Sequence, residues 1–118
     1  MRQPIELPPL SLLPPSPLRA LVETLHGLYQ QADKPPLRAI DEWIVAHPEH
    51  DGAISRESIR RLLVGINVPR RWESARSVFL ALCALAGANP DEHARTFRRQ
   101  WQEVVADPMA ARRPYSTP

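Results

Sequence analysis

The residues best suited to chemistry lie together in one short stretch. Ser55, Arg56, Glu57, Ser58, Arg60 and Arg61 fall within a few positions of each other. Arginine can clasp guanine O6 and N7 through two parallel bonds, and glutamate can accept from cytosine N4. Ser55 and Ser58 are short donors able to reach phosphate, helped by the positive end of a helix dipole. Arg70 and Arg71 follow this stretch and Arg38 precedes it, so these three are natural phosphate clamps. The chemistry on offer is recognition of duplex DNA: Arg56, Glu57, Arg60 and Arg61 at base edges, with Ser55, Ser58, Arg38, Arg70 and Arg71 on the backbone.

Such side chains must be presented by a rigid element, and the spacing supplies one. Ile59, Leu62, Leu63 and Ile66 recur at i, i+3, i+4 and i+7, which predicts an apolar stripe on a helix. Ser55 is a good N-cap for that helix, and Gly65 is a natural stop in a left-handed conformation.

Four more helices are predicted around it. The first runs from about Ser16–Pro17 to Ala32, with Leu18, Leu21, Val22, Leu25, Leu28 and Tyr29 as its stripe. The second runs from about Pro36 to His47, with Leu37, Ile40, Trp43 and Ile44 inward, and Pro48 ends it. The fourth spans about Trp72 to Ala86, with Ala75, Val78, Phe79, Leu82 and Ala86 inward and Gly87 beyond its end. The fifth opens at Asn89–Pro90 and buries Ala94, Phe97, Trp101, Val104 and Val105, with Pro108 past its end. No segment has a strand period. The expected fold is all-α, a compact bundle of about five helices containing a helix-turn-helix. Six of the 14 prolines fall in residues 1–17, making an extended arm whose leucines can pack along the domain or meet a protein partner. The domain itself is expected at 18–107, with a flexible tail at 108–118.

Composition narrows the function classes. The chain has 118 residues, 43% hydrophobic and 24% charged, as expected for one soluble domain. Lys34 is the only lysine, so positive charge is almost entirely arginine. A formal net charge of +2 does not by itself point to nucleic acid. Its distribution says more: Ile54 to Arg76 holds six arginines against Glu57 and Glu73, a surplus of four positive charges. Asp33 to Asp51 holds five acidic residues against Lys34 and Arg38, a deficit of three.

Cys83 is the only cysteine, which excludes an intrachain disulfide and suits a reducing compartment. With no signal-peptide core and no long apolar run, a cytoplasmic protein with no membrane partner is expected, nucleoid-associated if it binds DNA. The cluster His47-Pro-Glu-His50-Asp51 lacks the ligand spacing of a zinc site, so no metal or cofactor is expected. Cys83 has no base paired with it, and Asp41-Glu42 and Asp91-Glu92 read as helix-surface acids, so no enzyme is expected. Trp43, Trp72 and Trp101 read as core anchors rather than base-stacking platforms.

At this point the chain resembles a family. Leu37-Arg38-x-Ile40, then Ser55-x-x-Ser58-Ile59-x-x-Leu62-Leu63-x-Gly65, then Pro69-x-x-Trp72, is similar to actinobacterial helix-turn-helix domains of the Cro/C1-type (XRE-like) class. Gly87-Ala-Asn-Pro90 and Phe97-Arg-Arg-Gln-Trp101 extend the likeness, which covers about residues 18–106. The resemblance implies a bundle of about five helices, a transcription regulator, and DNA-reading positions at Ser55, Arg56, Glu57, Ser58, Arg60 and Arg61. It also implies a homodimer on paired half-sites. One departure stands out. Residues 47–54 exceed a motif turn of roughly three or four residues, which alters how the second helix braces the third. A protein-interaction or adaptor module built on a degenerate helix-turn-helix is the alternative reading.

Overall fold

The computed structural model describes residues 4–106, and its described residues form five α-helices and no strand. Helix α1 spans Pro17–Gln31, α2 Leu37–Val45, α3 Arg56–Leu63, α4 Trp72–Ala86 and α5 Pro90–Ala106, with a 3₁₀ turn at Pro48–His50. The all-α fold is therefore as expected. The tail at 108–118 and Pro108 lie outside the described residues.

Each helix begins where local chemistry allows it. Ser16 is extended, and its hydroxyl accepts the Arg19 N–H at 3.1 Å, with Pro17 at the first helical position. At the other end of α1, Asp33 and Lys34 take left-handed conformations, and the Lys34 N–H returns to the Tyr29 carbonyl at 2.9 Å. Helix α2 is shorter than the spacing suggests, ending at Val45 rather than His47. His47 sits at φ −125° and ψ 61°, outside the helical region, as the following proline ring requires.

Helix α4 is the axis of the bundle. It packs against α1, α2 and α5, and Ala75, Val78, Phe79, Ala81, Leu82 and Cys83 are all buried. Helix α1 packs on α4, α5 and α3, burying its full predicted stripe. Phe79 and Phe97 stack with centroids 4.7 Å apart, joining α4 to α5. Two inward assignments fail. Ala94 is exposed, at the edge of a depression it shares with Trp72 and Arg76 of α4. Ile66 is 38% exposed, because α3 ends at Leu63 and Gly65 at φ +72° swings the chain off the helical stripe.

Gly65 serves a second purpose. A Cβ there would stand 2.7 Å from Leu13 Cδ2, so the glycine also makes room for the N-terminal segment. Leu13 is buried in the core, while Leu10 and Leu12 stay exposed. Buried Arg19 fastens this segment, donating to the Leu13 carbonyl at 2.6 Å and to the Pro8 carbonyl at 3.0 Å. The Ile5 amide donates to the Tyr29 hydroxyl at 2.9 Å. Among the described residues, no helix is long and apolar enough to cross a membrane.

Candidate nucleic-acid interface

Helix α3 is held by its apolar edge. Ile59, Leu62 and Leu63 are each fully buried, and such burial stabilises by about 1.5–3 kcal/mol per side chain. Its N-terminus is capped as the sequence predicts: Ser55 Oγ accepts the Ser58 N–H at 3.1 Å and donates to Ser58 Oγ at 3.0 Å. Its C-terminus has a partner the stripe does not reveal. His26, buried on α1, sits with Nε2 2.6 Å from the Leu63 carbonyl. A carbonyl only accepts, so Nε2 donates, and burial lowers the imidazole pKa, which favours the neutral ring. One of the orphan carbonyls at the end of the helix is thereby satisfied.

The opposite side of α3 carries the predicted base-reading residues. Arg56, Glu57, Arg60 and Arg61 all reach solvent, with side chains roughly half exposed. None of the three arginines is bare. Arg60 forks onto Glu57, with Nε 3.0 Å from Oε1 and Nη2 2.6 Å from Oε2. Arg61 Nε donates to the same Glu57 Oε2 at 3.1 Å. Arg56 Nε reaches Asp41 of α2 at 2.9 Å. The Arg60 hydrogen bond, seconded by Arg61, draws the Glu57 carboxyl pKa down to about 2. The face thus presents three cations against two anions, and the surplus of the surrounding segment is largely neutralised where it would be used.

The expected phosphate clamps separate. Arg71 stays beside the N-terminal approach to α3, its Nη2 2.6 Å from Asp51 Oδ2 and its Nε 3.6 Å from Glu73 Oε1. Arg38 pairs loosely with Glu42 within α2, at 3.9 Å. Arg70 turns away, towards the Val105 carbonyl of α5 at 3.5 Å. Ser55 and Ser58 therefore stand at the start of α3, Arg71 is tied to the turn before it and to α4, and Arg70 faces α5.

Residues 46–55 connect α2 to α3, which confirms the long turn. It is pinned to α4. Ser74 Oγ donates to the Ala53 carbonyl at 3.0 Å, and a Cβ on Gly52 would overlap Ser77 Oγ at 1.6 Å. A shallow cleft of about 260 Å³ opens beside it, lined by Asp41, Ile44, Val45, Pro48 and Asp51 among others. That is smaller than a typical ligand pocket. Trp43, His47 and His50 form a stack, with Trp43 and His47 centroids 3.9 Å apart. Among the described residues, no group of three or more His, Cys, Asp or Glu is placed to hold a metal ion.

The tryptophans are anchors, though half-buried ones. Trp101 Nε1 donates to the Pro69 carbonyl at 2.8 Å, and Trp72 packs against Phe97 and Trp101. Cys83 is buried, and desolvation pushes its thiol pKa up to about 11. A thiol held protonated is a poor nucleophile.

Sequence reasoning missed Asp41 and Asp51 as partners of the arginines, and it missed His26. Acidic residues 15 and 20 positions away leave no local signal of pairing. No family model matches the chain, and no curated protein or solved structure matches it significantly.

Proposed function

We propose that the chain binds duplex DNA through α3, as a transcription regulator of the Cro/C1-type helix-turn-helix kind that its motifs resemble. One observation carries the reading. A short helix is locked to the core by Ile59, Leu62 and Leu63 while Arg56, Glu57, Arg60 and Arg61 face solvent from its other side. Exposed ion pairs contribute little to stability, so guanine edges and phosphates can exchange for Glu57 and Asp41. In this reading Ser55, Ser58 and Arg71 would supply backbone contacts, and a homodimer would place two such helices on paired half-sites.

A mobility-shift titration of the full chain on duplex DNA across a salt series is the test. Contacts to several phosphates make log affinity fall linearly with log salt. A flat salt response, or no duplex binding at low salt, overturns the regulator reading.

A protein-adaptor module is the second reading, favoured by the pairing of every arginine on α3 and by exposed Val45, Leu10 and Leu12. It requires that duplex binding be absent, and that a defined protein partner no longer bind a Val45→Asp variant.

A further inference from the structure

A second group of arginines lies between α4 and α5, and it differs from the α3 group in that no acid pairs with it among the described residues. Arg76 of α4 and Arg95 and Arg98 of α5 line a depression of about 400 Å³, with Trp72 and Ala94 completing its wall. None of the three is in an ion pair among the described residues. Arg98 lies over the Trp72 ring, its Cζ 5.4 Å from the centroid, a cation–π distance that fixes where the guanidinium sits. Arg76 Nε is buried and makes no hydrogen bond among the described residues, and its Nη2 donates to the His50 carbonyl at 3.4 Å. Asp91 and Glu92 stand one turn before Arg95 yet pair with neither Arg95 nor Arg98.

We propose that this α4–α5 depression is a binding site for a phosphate-class oxyanion. Three like charges converging on one concave surface repel one another, and a multivalent anion converts that repulsion into attraction. Guanidinium forks match the oxygens of a phosphate group, and charge-assisted bonds to them are the strong ones. The indole keeps Arg98 in place, so less freedom is lost on binding. The same chemistry is carried by a free phosphorylated small molecule or by the backbone of nucleic acid.

The site shares no residue with α3, so its test is independent of the DNA-reading proposal. Inorganic pyrophosphate is titrated calorimetrically into the full chain at low salt, against sodium chloride at matched ionic strength. Saturable binding is expected, weakened about tenfold or more in Arg95→Ala/Arg98→Ala, since at least one charge-assisted bond is removed. The Arg95→Gln/Arg98→Gln variant should behave alike, and circular dichroism confirms that both fold. Repeating the titration with duplex DNA present separates the two sources. Displacement of pyrophosphate assigns the oxyanion to the nucleic-acid backbone, and undisturbed binding assigns it to a small phosphorylated ligand. Failure of pyrophosphate to saturate beyond the chloride control, or equal affinity in the folded variants, overturns the proposal.

Discussion

The two arginine clusters use the same side chain in opposite electrostatic settings. On α3, Arg56, Arg60 and Arg61 stand beside Asp41 and Glu57, and each is hydrogen-bonded. Between α4 and α5, Arg76, Arg95 and Arg98 line one depression, with no carboxylate paired to them among the described residues. The first arrangement holds its guanidiniums in defined orientations at modest net charge, which favours discrimination over sheer attraction. The second concentrates charge, which favours an anion of any sequence context. Position along the chain therefore misleads: the three arginines of α3 are paired with acids, whereas Arg76 meets Arg95 and Arg98 only through packing.

The largest effect expected from breaking this contrast lies on α3. Replacing Arg60 and Arg61 together with alanine should weaken specific duplex binding by about 1–3 kcal/mol for each base these arginines read. Duplex affinities measured side by side with Arg95→Ala/Arg98→Ala sharpen the comparison. The α3 variant should lose preference among sequences, whereas any weakening in the α5 variant should be uniform across them. Identical sequence preference in wild type and the α3 variant would remove base reading from α3.

A smaller effect is expected at the connection between the two regions. Gly52 packs so closely on Ser77 and the Glu73 carbonyl that Gly52→Ala must displace the long turn from α4. Overpacking of this kind costs about 1–3 kcal/mol, and it should appear as a lowered midpoint of urea unfolding with unchanged slope. An unshifted midpoint would mean that the turn is not held by α4.

The smallest effect concerns Glu57. Replacing it with glutamine turns α3 into a second acid-poor cluster and should raise non-specific duplex affinity by no more than about tenfold, with the gain fading at high salt. Its titration has a definite sign. The folded-state pKa near 2 lies below the ordinary carboxyl value of 4.5, so Glu57 contributes stability that is present above about pH 4.5. That contribution disappears as pH falls towards 2. Acid unfolding of wild type and Glu57→Gln compared over this window should show a shallower decline in the variant, and parallel curves would contradict the pairing.

Much of α3 was legible in the chain because its determinants are local. The Ser55 cap, the buried Ile59–Leu62–Leu63 edge and the break at Gly65 all follow from residues within one or two turns. The five-helix, all-α class follows from apolar spacing in the same way. Ile66 shows where this reasoning stops, since periodicity continues through a residue that the positive φ of Gly65 has already turned outward.

What only the tertiary structure decided is who stands beside whom. Arg56 meets Asp41 because α2 and α3 pack together, and Arg71 meets Asp51 because the long turn lies on α4. Arg76 joins Arg95 and Arg98 because α4 and α5 pack side by side, with Trp72 against Phe97. His26 finds the end of α3 across 37 residues. Helix identity is set by forces that act over a few residues, and the sequence determines it alone. The charge a guanidinium presents to a ligand depends on neighbours brought in by packing, and packing fixes it only when the chain is folded.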